Sequence, residues 1–218
     1  MITGILTQLI NNSIVENKDE IRDYLGASSI GHPCERSIWY RYNNHEAEPR
    51  SHKQLRTFAI GKKLEGVVLD CLEQAGLKIA RTWYDLKDSE LPEFQGHVDA
   101  VWTEENGAAK AIIEVKTARD SSFNVFAKRG LKYWYPIYFA QIQSYMGMSG
   151  IHEGYVIALN KDTSEIHDER VLFDALYYEE LKRKAARIME SDEVPDKING
   201  SPMYFVCRGC SFKGICHS

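Results

Sequence analysis

The run Phe94–Thr117, FQGHVDAVWTEENGAAKAIIEVKT, holds two apolar, strand-forming stretches on either side of a Glu-Glu-Asn-Gly turn. Asn106-Gly107 is a strong signal for a two-residue hairpin loop, because both central residues of such a turn need positive φ. A turn centred there sets Asp99 opposite Glu114. Their Cβ atoms would lie roughly 5 Å apart, and facing like charges destabilise a sheet unless something positive lies between them. Side chains alternate along a strand, so Glu114 and Lys116 share one face while Ile113 and Val115 take the other. Asp99, Glu114 and Lys116 therefore converge, with a metal ion as the natural counter-charge.

On the N-terminal side of this hairpin, Leu77–Leu86 reads as a first strand, and Arg50–Gly76 as a long amphipathic helix with a break near Gly61. Its apolar stripe is Leu64, Val67, Val68, Cys71 and Leu72, which makes Cys71 a buried small hydrophobe rather than a ligand. Pro33 can open a helix carrying Cys34, Ile38, Trp39 and Tyr42. Residues 1–26 carry helical spacing at Ile5, Leu9, Ile10, Ile21, Tyr24 and Leu25, stopped by Gly26. Beyond the hairpin, Lys128, Arg129 and Lys132 interleave with Tyr133 and Trp134, a pattern suited to neutralising phosphates and stacking on bases. It suits an aromatic core with a solvated basic rim equally well.

Pro136 fits the first turn of a helix ending near Gly147 or Gly150. On it Tyr138, Gln141 and Tyr145 form one polar-aromatic face. Glu153–Asn160 and the stretch from Thr163 to Phe173 read as further strands, and Asp174 caps a charged helix running to about Glu193. The order of elements predicts an α/β chain with a mixed central β-sheet flanked by helices. A single domain spans 1–218, with its core over about 50–193 and a cysteine-bearing unit formed by about 31–42 and 203–218.

Composition restricts the partners. The net charge of −4 removes global basicity, so any nucleic-acid binding has to be local. No apolar run is long enough to span a membrane and MITGILTQLI lacks the marks of a secretory signal, which points to the cytoplasm, or to a host's cytoplasm for a viral chain. Five cysteines in that setting argue against a disulfide framework. Four of them, Cys34, Cys207, Cys210 and Cys216, could hold tetrahedral zinc or an iron–sulfur cluster, and spacing alone does not separate the two. Either centre would clamp chain segments far apart in sequence.

Paired carboxylates beside a lysine suit phosphodiester chemistry. Mg²⁺ or Mn²⁺ takes one or two carboxylates and substrate phosphate oxygens, and the lysine offsets transition-state charge. His97 and Asp99 with His152 or His167 could instead form the facial triad of a non-haem iron oxygenase. That reading leaves Glu114, Lys116, Gln141 and the four cysteines without a role.

Gly96-His97-Val98-Asp99 followed by Glu114-Val115-Lys116 resembles the core of the PD-(D/E)xK nuclease superfamily. Gly61-Lys62-Lys63-Leu64-Glu65 resembles the G-x-x-x-(H/E) helix motif of its RecB-like branch, with Glu65 where many members carry His. The segment from Gln141 to Tyr145 resembles that branch's Q-x-x-x-Y motif. The four cysteines resemble the set found in CRISPR-associated RecB-like exonucleases and related helicase–nuclease domains. The resemblance implies a restriction-endonuclease-like core and a DNA exonuclease acting on single strands or duplex ends. It also implies Mg²⁺ or Mn²⁺ on Glu65, Asp99 and Glu114, with Lys116, Gln141 and Tyr145 in the active site. A 4Fe–4S cluster on Cys34, Cys207, Cys210 and Cys216 would tie the chain ends together, zinc being the less favoured occupant. Partners would be DNA and a helicase or recombination protein. A catalytically idle, DNA-binding subunit is the alternative, and it is disfavoured because the carboxylates and the lysine are all present.

Overall fold

In the computed structural model, which describes residues 4–14, 23–81 and 85–218, the chain opens with α1 (Ile5–Ser13), β1 (Leu25–Gly26), α2 (Ala27–Ile30), α3 (Glu35–Tyr42) and α4 (His52–Gln74). Next come β2 (Ile79–Ala80), β3 (Asp85–Lys87), β4 (Phe94–His97), β5 (Ala100–Thr103) and β6 (Ala109–Ala118). Helices α5 (Asp120–Arg129), α6 (Leu131–Trp134) and α7 (Pro136–Ser149) lead to β7 (Glu153–Asn160), β8 (Ile166–Leu172), α8 (Ala175–Glu190) and α9 (Lys213–His217).

The main sheet has the order β2-β5-β6-β7-β8 and is antiparallel except at β6–β7. A parallel pair needs a long crossover, which α5, α6 and α7 supply. Strands buried on both faces need near-continuous apolar runs, and AIIEV in β6 and VIAL in β7 provide them. One face packs Ile113, Val115, Ile157 and Leu159 against Val68 and Leu69 of α4. The other sets Ile112, Val156 and Ala158 against Ile142 and Met146 of α7, with Leu181, Ala185 and Ile188 of α8 behind. Glycine lets α7 approach its neighbours closely. A Cβ on Gly31 would lie 2.7 Å from the Ile137 Cα, and one on Gly147 would overlap the Tyr178 ring.

Local signals account for the helix ends. Ser51 and Gln54 cap α4 reciprocally, the Asp174 carboxylate accepts from the Tyr177 N–H at the start of α8, and Gly150 ends α7 at φ 71°. Among the described residues no helix is long and apolar enough to cross a membrane.

Several expectations need correcting. The stretch 94–103 is not one strand: β4 leaves the hairpin and joins a second sheet of order β1-β4-β3. Gly96 allows this, because only a residue without a Cβ fits β4 against Tyr145 and Ala27. The predicted register survives in β5, where Ala100 faces Ile113 and Val101 faces Ile112. The loop is longer than two residues. Only Gly107 has positive φ, at 83°, while the Asn106 carboxamide oxygen accepts from the Ala108 N–H, and an irregularity at Trp102/Thr103 takes up the slack.

The stretch 77–86 likewise divides between β2 and β3, in different sheets, and residues 82–84 lie outside the described residues. Leu25 is not helical but pairs with Phe94 in β1, and Ile21 lies outside the described residues. Helix α4 runs unbroken through Gly61, which faces Thr117 of β6. Cys71 and Val67 are exposed, because only the strip through Leu64, Val68, Leu69 and Leu72 meets the sheet.

Candidate active site

Asp99 sits immediately before β5, where its Oδ2 accepts from the Val115 N–H at 2.8 Å. This bond extends the β5–β6 pairing by one step and holds the carboxylate beside Glu114, on the α7 face of the sheet. Glu114 is only 2% exposed. Its Oε1 accepts from the Lys116 ammonium and from the Gln141 carboxamide, the latter at 2.8 Å. Gln141 also donates to the Tyr145 hydroxyl at 2.7 Å, and the Lys116 Nζ lies 4.7 Å from the centre of the Tyr138 ring. The helix face Tyr138-Gln141-Tyr145 thus closes over the strand face Glu114-Lys116.

Burial sets the electrostatics. It pushes Asp99 up to about 8, helped by the neighbouring Glu114, and raises Glu114 against the pull of Lys116. Burial opposes the charge on Lys116, but Glu114 and Asp99 outweigh it and raise its pKa. Glu65, from α4, accepts from Lys62 at 2.6 Å, and its charge contributes to the upward shifts of both Asp99 and Glu114. Three carboxylates therefore share one field with a single buried lysine.

The Glu114 Oε2 atom is buried and has no hydrogen-bond partner. An orphaned carboxylate oxygen is costly unless a ligand completes it. The hard oxygen donors of Glu65, Asp99 and Glu114 fit Mg²⁺ or Mn²⁺. Among the described residues no three His, Cys, Asp or Glu side chains are grouped so as to hold a metal ion.

The cysteines form a second cluster. Cys34 is the N-cap of α3, and Cys34, Cys207, Cys210 and Cys216 line one cavity of about 20 Å³. All four are free thiols. The Cys207 thiol is raised by burial and then by Cys34, Cys216 and Cys210, so the four lie within each other's field. Trp39 donates to the Ser191 carbonyl at 2.9 Å, the Glu48 N–H donates to Ser211 O at 2.7 Å, and Phe212 packs on Tyr40. His32 also lines this cavity, and its Nδ1 accepts from the Cys34 N–H at 3.2 Å. Sequence reasoning missed His32, although its position two residues before Cys34 was a readable signal.

The basic-aromatic segment divides. Lys128, Arg129, Lys132 and Tyr133 are exposed, with Arg129 over the Tyr133 ring at 4.7 Å. Trp134 is buried, stacked on Phe126 at 4.5 Å, and donates to Ser122 Oγ at 2.6 Å. It is a core residue, and the expectation that it contacts DNA is corrected accordingly. The facial triad is not assembled either: His152 stacks on Phe173, His167 lies edge-on to Phe126, and His97 pairs with Asp85.

No family model matches the chain, and no curated protein matches it. Solved structures do. The crystal structure of SSO0001 is 16% identical, with 98% of this chain and 96% of that chain covered at a TM-score of 0.62. An alkaline exonuclease from Laribacter hongkongensis is 14% identical, covering 78% of this chain and 87% of its own at a TM-score of 0.60. Its complex with dAMP gives 14%, 77%, 87% and 0.60. At these identities the likeness is one of fold: a mixed α/β architecture shared with exonucleases.

Proposed function

We propose that this protein is a metal-dependent deoxyribonuclease of the RecB-like PD-(D/E)xK type, an exonuclease acting on single strands or duplex ends. The observation that carries this reading is the hydrogen-bonded cluster of Glu114, Lys116, Gln141 and Tyr145 beside Asp99, with the Glu114 Oε2 left unpaired. Glu65, Asp99 and Glu114 would hold Mg²⁺ or Mn²⁺, which when bound supplies charge stabilisation and a more acidic water. Hydrolysis forms a bond from water oxygen to phosphorus and breaks the bond to the leaving oxygen, with negative charge building on the phosphoryl oxygens. Lys116, held between Glu114 and the Tyr138 ring, donates hydrogen bonds to that charge and orients the water. Gln141 and Tyr145 keep Glu114 in one rotamer and exclude bulk water. Lys128, Arg129, Lys132 and Tyr133 guide the strand along α5 and α6.

Cys34, Cys207, Cys210 and Cys216 would hold a 4Fe–4S cluster that ties the chain ends together, zinc being the less favoured occupant. The convergence of the four side chains on one cavity supports this, since four neighbouring thiolates need a cation. A helicase or recombination protein is the partner class that the reading implies. The test uses anaerobically purified protein, its visible spectrum and its iron content. It adds end-labelled single- and double-stranded DNA with Mn²⁺, Mg²⁺ or EDTA, beside Glu114→Ala and Lys116→Ala. Cleavage that needs the metal and both side chains is expected. Retained DNA binding with no cleavage under any metal selects the idle-subunit alternative, and a colourless, zinc-loaded protein refutes the cluster.

A further inference from the structure

A second cavity, of about 320 Å³, lies between α2, α3, the start of α7 and the turn at Gly209–Ser211. Its size is at the lower end of small-ligand sites. Its lining combines Arg41, the rings of Tyr24 and Tyr42, and the hydroxyls of Ser28, Ser37 and Ser211. No acidic side chain lines it among the described residues. Arginine forks onto phosphate oxygens, tyrosine rings stack on bases and small hydroxyls bond to phosphate or sugar. The chemistry is therefore that of one nucleotide unit.

The position of the cavity matters as much as its lining. On one side the Tyr24 hydroxyl lies 3.4 Å from His97 Nε2, and Ile137 is the neighbour of Tyr138, whose ring carries Lys116. On the other side His32, Ser37 and Cys210 line both this cavity and the cysteine cavity. The cavity thus adjoins the cysteine unit and reaches the first turn of α7, the helix that carries Tyr138, Gln141 and Tyr145.

We propose that this cavity is a binding subsite for one nucleoside phosphate of a single DNA strand, held by Arg41 between Tyr24 and Tyr42, on the strand's path past the cysteine unit to the Glu114–Lys116 site. The assignment rests on the nuclease reading for the direction of that path, but not for the binding itself. Because Cys210 forms part of its wall, the state of the cysteine centre sets the shape of the subsite.

The test uses the full chain with its cysteine centre intact and a fluorescein-labelled oligothymidylate, without added Mg²⁺ or Mn²⁺. Affinity is read by anisotropy across a salt series for wild type, Arg41→Gln, Ser28→Trp and the control Arg208→Gln. Ser28 and Arg208 are exposed, Ser28 at the cavity and Arg208 outside it. Arg41→Gln should weaken binding by about tenfold and shallow the log–log salt slope by about 0.7, the value for one phosphate contact on a single strand. Ser28→Trp should weaken binding with the slope unchanged, and Arg208→Gln should change neither. Equal behaviour of Arg41→Gln and Arg208→Gln, or tight binding by Ser28→Trp, overturns the subsite. Hydrolysis of bis(p-nitrophenyl) phosphate, too small to span the cavity, is measured in parallel with Mn²⁺. Wild-type protein that hydrolyses neither bis(p-nitrophenyl) phosphate nor, once Mn²⁺ is added, the oligothymidylate, while Arg41→Gln still loses affinity, sinks the nuclease reading and leaves the subsite standing.

Discussion

The carboxylate–lysine cluster stands on the two central regions of a sheet and on a helix buried along most of its length, whereas the four cysteines stand on a helix cap and a run of turns. In the first region Asp99, Glu114, Lys116, Gln141 and Tyr145 are linked by hydrogen bonds within the protein, and the buried Glu114 Oε2 is left without a partner. In the second, the segment from Tyr204 to Ser218 is mostly turn, with one short helix, and the Cys207 thiol is raised by burial and then by its neighbouring cysteines. The first region is pre-organised, so loss of the proposed cation should change chemistry more than fold. The second lacks that support, so the proposed cysteine centre would contribute directly to folding.

The sharpest test of this contrast is Glu114→Gln, which keeps shape and removes charge. Cleavage should fall by about 10²–10³-fold, as expected for loss of one electrostatic contact to the transition state, while the thermal midpoint stays near that of wild type. Cys207→Ser should do the reverse. It should cost on the order of 3 kcal/mol or more in a urea titration, since binding of the proposed metal centre there would be folding free energy, with the remaining folded fraction retaining cleavage.

Gly96→Ala probes the joint between the two sheets. Its methyl group would enter the Tyr145 ring, at a cost of about 1–3 kcal/mol, and cleavage should drop with it because Tyr145 holds Gln141. The smallest expected effect is on pH. In the metal-free protein Asp99 is pushed up to about 8, so the folded state retains a proton that the unfolded chain releases. That contribution is full below the ordinary aspartate value and is lost as pH rises through about 8. The urea midpoint of metal-free protein should therefore decline from about pH 5 to about pH 9, and Asp99→Asn should flatten the decline.

How much of this was legible follows from which contacts are local. The β5–β6 register could be read because an Asn-Gly turn and strict alternation lie within one short stretch. The polar face of α7 could be read because Tyr138, Gln141 and Tyr145 repeat at helical spacing. The departure of β4 into a second sheet could not. Phe94 and Val98 keep the same alternation as Ala100, and the split depends on Gly96 meeting Tyr145, far along the chain. Trp134 was misread for a related reason, since it follows the basic run Lys128, Arg129 and Lys132 in sequence while its neighbour in space is Phe126. Cys71 fell within a plausible stripe, but the sheet meets a narrower strip of α4 than periodicity implies. The cysteine spacing marked a cluster without naming its occupant, because zinc and iron–sulfur clusters both take four thiolates.

The placement of β6 between an antiparallel and a parallel neighbour has a kinetic side. A hairpin such as β5–β6 closes in microseconds, but the β6–β7 pairing must wait for the whole crossover to condense, and such non-local pairings are slow. Early in folding Asp99 and Glu114 therefore lie in water, where both ionise at neutral pH. Docking of α7 then has to dehydrate them together with Lys116, which places a desolvation barrier late on the pathway. Mild acid or millimolar Mn²⁺ should lower that barrier and speed the final refolding phase, a rate effect visible in stopped-flow tryptophan fluorescence.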